Sequence, residues 1–161
     1  MLRDYLTGVF NRRYLYEAGN QVFQNARRGN ISMAIAMIDA DNFKSINDKY
    51  GHDIGDLVLQ TIANSLRKSL RESDIVARFG GEEFVCIATG VEPDQIENVF
   101  ERVREAVESQ RIATEQGTIN VTVSIGVCTD LKKTLDDMIN VADQAMYTAK
   151  QTGRNRIVVQ Q

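Results

Sequence analysis

The chain has 161 residues, 43% hydrophobic and 25% charged, with a formal net charge of -3. That length suits one compact domain able to bury roughly two-thirds of the surface its unfolded form exposes, and the composition excludes a disordered chain. A net negative balance argues against a general nucleic-acid binder, which carries a basic face, and no apolar run is long enough to span a bilayer. With no signal-peptide core after Met1, a cytoplasmic protein is expected.

Asp4 to Arg13 has turn character and leads into a helical stretch toward Arg28, ended by Gly29-Asn30. The run Met33-Ala34-Ile35-Ala36-Met37-Ile38, stopping on Asp39, reads as a strand buried on both faces. Asp39, Asp41 and further polar residues then form a loop. A carboxylate at the C-terminal end of a buried strand is where open sheets place ligand sites, although Asp39 also suits a strand-end turn. Asp53 is expected to cap a helix whose Leu57, Val58, Ile62 and Leu66 recur at helical spacing to about Leu70.

Ile75 to Phe79 and Phe84 to Ala88 are short β-rich runs joined by Gly80-Gly81-Glu82-Glu83, which predicts a β-hairpin turning on the paired glycines. On an extended chain Glu82 and Glu83 point to opposite sides, so one of them faces any given site directly. Taken alone, the turn fits a solvated acidic tip as well as a phosphate and metal site. Pro93 opens another helix, with Ile96, Val99, Phe100, Val103 and Val107 on one face. Thr118 to Val127 reads as a strand, Leu135 to Lys150 as a helix, and Ile157 to Val159 as a short closing strand. Cys86 and Cys128 have no Cys-x-x-Cys spacing and read as buried, reduced thiols. His52, beside a helix start, reads as structural. The expected fold class is α/β (α+β), a sheet of about five strands flanked by helices.

Convergence of Asp39 and Glu82 would place carboxylates that repel unless a cation lies among them, and Mg²⁺ suits such a site because waters and phosphates complete its shell. At this point the chain resembles the GGDEF family, the diguanylate cyclases of bacterial second-messenger signalling, which condense two GTP into cyclic di-GMP. The motifs are Asp4-x-Leu6-Thr7-Gly8, Asn11-Arg12-Arg13, Asp39-x-Asp41-x-Phe43-Lys44, Asn47-Asp48, Gly51-His52-x-x-Gly55-Asp56, Arg78-x-Gly80-Gly81-Glu82-Glu83-Phe84, Val123-Ser124-Ile125-Gly126 and Ala142-Asp143 through Arg156. Glu82 stands where the family's name has aspartate, and Met146 replaces a usual leucine.

The resemblance implies a mainly antiparallel sheet of the nucleotidyl-cyclase and polymerase-palm kind, with the hairpin carrying the active-site turn. It implies that Asp39, Glu82 and the Ala40 carbonyl hold two Mg²⁺ or Mn²⁺ ions, with Glu83 an auxiliary ligand or an activator of the 3′-hydroxyl. Gly80 and Gly81 would lie against the GTP phosphates and Phe43 beside the substrate, while Lys44, Lys150 and Arg154 would neutralise the β- and γ-phosphates. Asn47 and Asp56 would read guanine, whose adjacent N1-H and 2-amino donors a carboxylate can accept together; without the resemblance both suit a helix surface and a helix terminus. Asp143 and Asn155 would support the Lys150 and Arg154 segment. Arg71-Glu72-Ser73-Asp74, with Arg102, matches the family's product-inhibition site; by itself the Arg71 and Asp74 pair is also an ordinary solvated ion pair.

Since one domain presents one GTP, catalysis implies a homodimer, and a preceding sensor or receiver domain is expected in a longer parent. A non-catalytic module sensing cyclic di-GMP or GTP is the alternative, but such members often lose acids of the hairpin, which are kept here. A plain interaction domain would bind no nucleotide at all.

Overall fold

In the computed structural model, which describes residues 1–161, a five-stranded sheet divides two helical layers. Helix α1 (Arg12–Gly29) is capped by Asn11, whose side chain accepts the Tyr14 N–H, and ends at Asn30 in the left-handed conformation. Strand β1 (Met33–Ala40) follows, then helices α2 (Phe43–Tyr50) and α3 (His52–Ser69), strands β2 (Ile75–Gly80) and β3 (Glu83–Thr89), and helix α4 (Pro93–Glu108) with Pro93 in its first turn. Strands β4 (Ile112–Thr114), β5 (Gly117–Ile119) and β6 (Val123–Cys128), helix α5 (Leu135–Gln151) and strand β7 (Arg156–Gln160) complete the chain.

The strand order is β2-β3-β1-β6-β7, antiparallel except for β6 and β7. Central β1 has partners on both edges and is buried on both faces, which is why it reads as an unbroken apolar run. Ala34, Ala36 and Ile38 face a core built with α3 and α4, whereas Met33, Ile35 and Met37 face one built with α1 and α5. Helix α5 lies directly on β6 because Gly126 has no side chain: a Cβ there would come 2.0 Å from the Met146 nitrogen and 2.1 Å from the Ala142 oxygen. That close seat fixes where Lys150, at the end of α5, emerges.

Four expectations need correction. The segment after Asp41 is not a loop, since Phe43 and Ile46 pack on the core and wind it into α2. Asp53 is no cap; the cap is Gly51, and Asp53 lies in the first turn, where its charge still favours the helix dipole. Thr118 to Val127 is two strands: β5 pairs with β4 in a separate small hairpin, and Asn120, bonded to the Glu108 and Gln110 carbonyls, breaks the run before β6. Cys128 closes β6 instead of following it, and both cysteines are buried and free.

Candidate active site

The hairpin turns one residue later than expected. Gly80 still pairs with Glu83, beyond an irregularity in the β2–β3 ladder between Arg78 and Gly80, so the two-residue turn is Gly81-Glu82. Only Gly81 takes a positive φ, +39°. A side chain on either glycine would meet nothing within 4 Å, so the main chain borders open space. Behind the turn, fully buried Phe84 anchors the hairpin in the core.

Asp39 lies directly across from Glu83 in the ladder, on the sheet face toward α1 and α5. Glu82, in the turn, escapes the strict alternation of an extended chain. The Asp39 charge therefore bears on both glutamates, even though adjacent residues of a fully extended chain would point to opposite sides. Burial and the Asp39 carboxylate push Glu82 up to about 7. Glu83 is raised by burial, then by Asp39 and Asp143, and Asp39 is raised by burial against the pull of Lys150. These acids resist ionisation together, as carboxylates awaiting a counter-charge do.

Asp39 Oδ1 is buried and is faced by the Lys150 ammonium at 3.1 Å. A buried carboxylate oxygen with one ammonium neighbour, beside Glu82, suits a hard divalent cation. No three His, Cys, Asp or Glu side chains converge here, so a cation would draw on Asp39, Glu82, main-chain oxygen, water and ligand oxygen. That donor set fits Mg²⁺.

Asp41 holds the surroundings in place. Its buried carboxylate accepts from Thr122 Oγ1 at 2.7 Å, Ser124 Oγ at 2.6 Å, Lys150 Nζ at 3.2 Å and the Asn155 N–H at 3.0 Å. Lys150 thus spans Asp39 and Asp41 while keeping 21% of its side chain exposed. Arg154 and Asn155 follow in consecutive left-handed conformations, φ 60° and 46°, costly for residues with a Cβ. Asn155 is secured by Arg104 Nη1 at 2.8 Å and by its own bond to Glu108 at 2.6 Å, leaving the Arg154 side chain exposed. Asn155 thus braces the Lys150–Arg154 segment, and the Asp143 charge bears on Glu83.

Helix α2 carries exposed Lys44 and half-buried Phe43. Asn47 leans against Gly55 so closely that a Cβ there would come 1.8 Å from Asn47 Oδ1, and this oxygen is buried with no partner. Asp56, next to Gly55, is exposed at the same junction of α2 and α3.

On another face, Arg71, Asp74 and Arg102 come together around a pocket of about 210 Å³, with Ser69, Leu70, Val91 and Val99. Arg71 donates to Asp74 at 3.2 Å and also to the Thr89 carbonyl. A cavity of about 440 Å³ adjoins this one through Leu70, Arg71 and Asp74, and the acidic turn is open surface. Sequence reasoning assigned no role to Asp41 or Arg104. The i, i+2 spacing of Asp39 and Asp41 was the available signal for the first; Arg104, on a charged helix surface, offered none.

A sheet with this strand order, an acidic hairpin turn and a second carboxylate on the adjoining central strand define the class. Residues 1–156 match the family model for the diguanylate cyclase GGDEF domain, and the chain belongs to that family. It is 37% identical over 161 residues to the probable diguanylate cyclase DgcT of Escherichia coli strain K12, covering 98% of this chain and 35% of the relative. Diguanylate cyclase DgcZ of the same strain is 40% identical over 154 residues, covering 95% of this chain and 51% of the relative. This chain thus spans between about a third and a half of these relatives' length.

Among solved structures, diguanylate cyclase SiaD in complex with its activator SiaC from Pseudomonas aeruginosa superposes with TM-score 0.94 at 38% identity, over 99% of this chain and 62% of that one. The GGDEF domain of DgcB from Caulobacter crescentus in complex with c-di-GMP gives TM-score 0.93 at 28% identity, over 98% and 95%. No helix of the chain is long and apolar enough to cross a membrane.

Proposed function

We propose that the chain is a diguanylate cyclase domain that joins two GTP molecules into cyclic di-GMP with release of two pyrophosphates, and that its product inhibits it at the pocket around Arg71. The observation that carries this reading is the Asp39 and Glu82 pair, two carboxylates held against their own repulsion beside glycines open to solvent. Asp39, Glu82 and the Ala40 carbonyl would hold Mg²⁺ or Mn²⁺, with Glu83 as an auxiliary. Bound there, the metal supplies Lewis acidity toward the 3′-hydroxyl and the leaving phosphates.

The chain's own groups do the rest. Gly80 and Gly81 let phosphates approach the main chain, and Lys44, Lys150 and Arg154 counter their charge through charge-assisted bonds. Asn47 and Asp56 take the base, and the orphaned Asn47 oxygen penalises one that cannot donate to it. Phe43 shapes the floor beside them. The 3′-hydroxyl of one GTP attacks the α-phosphate of the other, pyrophosphate leaves, and a second such step closes the ring. Only one GTP meets each open turn, so two copies must face each other about a two-fold axis.

The test is chromatographic identification of cyclic di-GMP after incubation with GTP and Mg²⁺ or Mn²⁺. Wild type is expected to form it and folded Glu83→Gln to lose it. Absence of product from folded wild-type protein that has been forced to dimerise overturns the reading, and GTP or cyclic di-GMP binding by that protein would then point to a nucleotide-sensing module.

A further inference from the structure

The catalytic turn is tied to the N-terminal turn through one side chain. Arg78 reaches past the ladder irregularity and donates Nε and Nη2 to the Gly81 carbonyl at 2.9 and 2.7 Å. Its remaining nitrogen, Nη1, meets both oxygens of Asp4 at 3.4 Å. Asp4 is itself fixed, accepting from the Thr7 N–H at 2.9 Å and Thr7 Oγ1 at 2.6 Å. The side chains of Arg78 and Asp4 are only 21% and 18% exposed. Main-chain bonds Phe10 N–H to Val76 O and Arg78 N–H to Phe10 O lay the N-terminal segment along β2.

A trans peptide is planar, so fixing the Gly81 carbonyl also fixes the Glu82 N–H on its opposite side and the direction in which Glu82 leaves the main chain. Gly81 cannot set that plane alone, because glycine is the least restrained residue. The Ala40 N–H holds the far side of the turn through the Glu82 carbonyl at 3.3 Å. The Gly81–Glu82 peptide itself is held by a two-pronged, charge-assisted grip from a guanidinium, whose fork a lysine could not reproduce.

We propose that Arg78 is a positioning residue for the catalytic turn, orienting the Gly81–Glu82 peptide and coupling it through Asp4 to the N-terminal turn. As far as turnover is concerned, this rests on the cyclase reading above. Arg78 touches no reacting atom in this scheme. Any displacement of the N-terminal turn reaches Glu82 along the chain Asp4, Arg78, Gly81.

The test compares Arg78→Ala, Arg78→Lys and Asp4→Asn with wild type in the full chain. Misplacing a reacting constellation by about 1 Å costs on the order of 100-fold, so folded Arg78→Ala is expected to lose kcat by about that factor, with KM for GTP shifted less than about threefold. Added ethylguanidinium should restore part of the kcat of Arg78→Ala, and Asp4→Asn should cost little more once Arg78 is gone, since coupled sites are non-additive. Should Arg78→Ala fail to fold, the other two variants carry the test through the amide resonance of Glu82, which should move in both. A wild-type kcat in folded Arg78→Ala, or a Glu82 amide unmoved in both Arg78→Lys and Asp4→Asn, overturns the proposal. An inactive wild type would sink the cyclase reading alone, because the Glu82 amide still decides whether Arg78 holds the turn.

Discussion

Glu82 carries an electrostatic load whose sign can be measured. Its carboxyl is raised from 4.5 to about 7 by burial and by Asp39, so between those values the folded chain binds more protons than the unfolded one. Stability contributed by this group is therefore full at pH 4.5 and is lost as pH rises through 7. Glu82→Gln removes the penalty: without divalent cation it should be the more stable form at pH 8, by about 1 kcal/mol after solvent screening, and lose that advantage below about pH 4.5. Thermal melts at the two pH values check this. Added Mn²⁺ should stabilise wild type at pH 8 more than at pH 5.5, where protons compete, and should do little for Glu82→Gln. Gly55 is the second informative residue. Gly55→Ala would drive a Cβ into Asn47 Oδ1. The variant is expected to keep its fold and lose at least about tenfold in GTP affinity by calorimetry, as misplaced polar recognition does.

At the scale of elements, the β6–α5 contact is the seat on which Lys150 and the segment to Arg154 rest. Gly126→Ala inserts a methyl where Met146 and Ala142 main-chain atoms already stand, so α5 must lift or β6 must bend. Overpacking of this kind costs about 3 kcal/mol, and denaturant unfolding should show it. The loop before β2 is a contrasting case. Arg71 is 53% exposed, so Arg71→Ala should leave the melting temperature nearly unchanged and relieve inhibition by cyclic di-GMP. Unchanged inhibition in that variant would refute the assignment of the pocket. The same contrast explains what could be read from the sequence. Strands β1, β2, β3 and β7 and helices α1, α3, α4 and α5 announced themselves because burial dictates their apolar runs and spacings, whereas β6 was legible only as the second half of a longer run. Helix α2 did not, because most of Phe43 to Tyr50 is polar and only Phe43 and Ile46 reach the core. The β4–β5 hairpin escaped because each strand has only three residues: the cross-strand pair Ile112 and Ile119 meets the core, but one apolar position per strand is too few to make an alternation.

For the whole molecule, the candidate site was legible as a set of residue types but not as a set of partners. Asp39, Glu82 and Glu83 were visible as acids, yet their closeness depends on the ladder placing Asp39 across from Glu83 beside the turn. Asp41 was visible in a motif, but its four hydrogen-bond donors come from residues 81 to 114 positions away. No local window contains such a hub. Similarly, Arg78 reads as one more polar residue on an edge strand until Asp4 and Gly81 are seen on either side of it. The open turn is the feature that speaks to assembly, since nothing within the chain lies over Gly80 and Gly81.

Specific activity as a function of association tests this half-site view most directly. Protein fused to an inducible dimeriser is incubated with GTP and Mg²⁺, and cyclic di-GMP formed per chain is measured with and without the inducer across a range of protein concentrations. Without the inducer, the rate per chain should rise with concentration. With it, the rate should be high and independent of concentration, and Glu82→Gln should abolish it under both conditions. Folded dimers that bind GTP and yield no cyclic di-GMP would contradict the cyclase assignment; a rate per chain already maximal in dilute, monomeric protein would contradict the half-site.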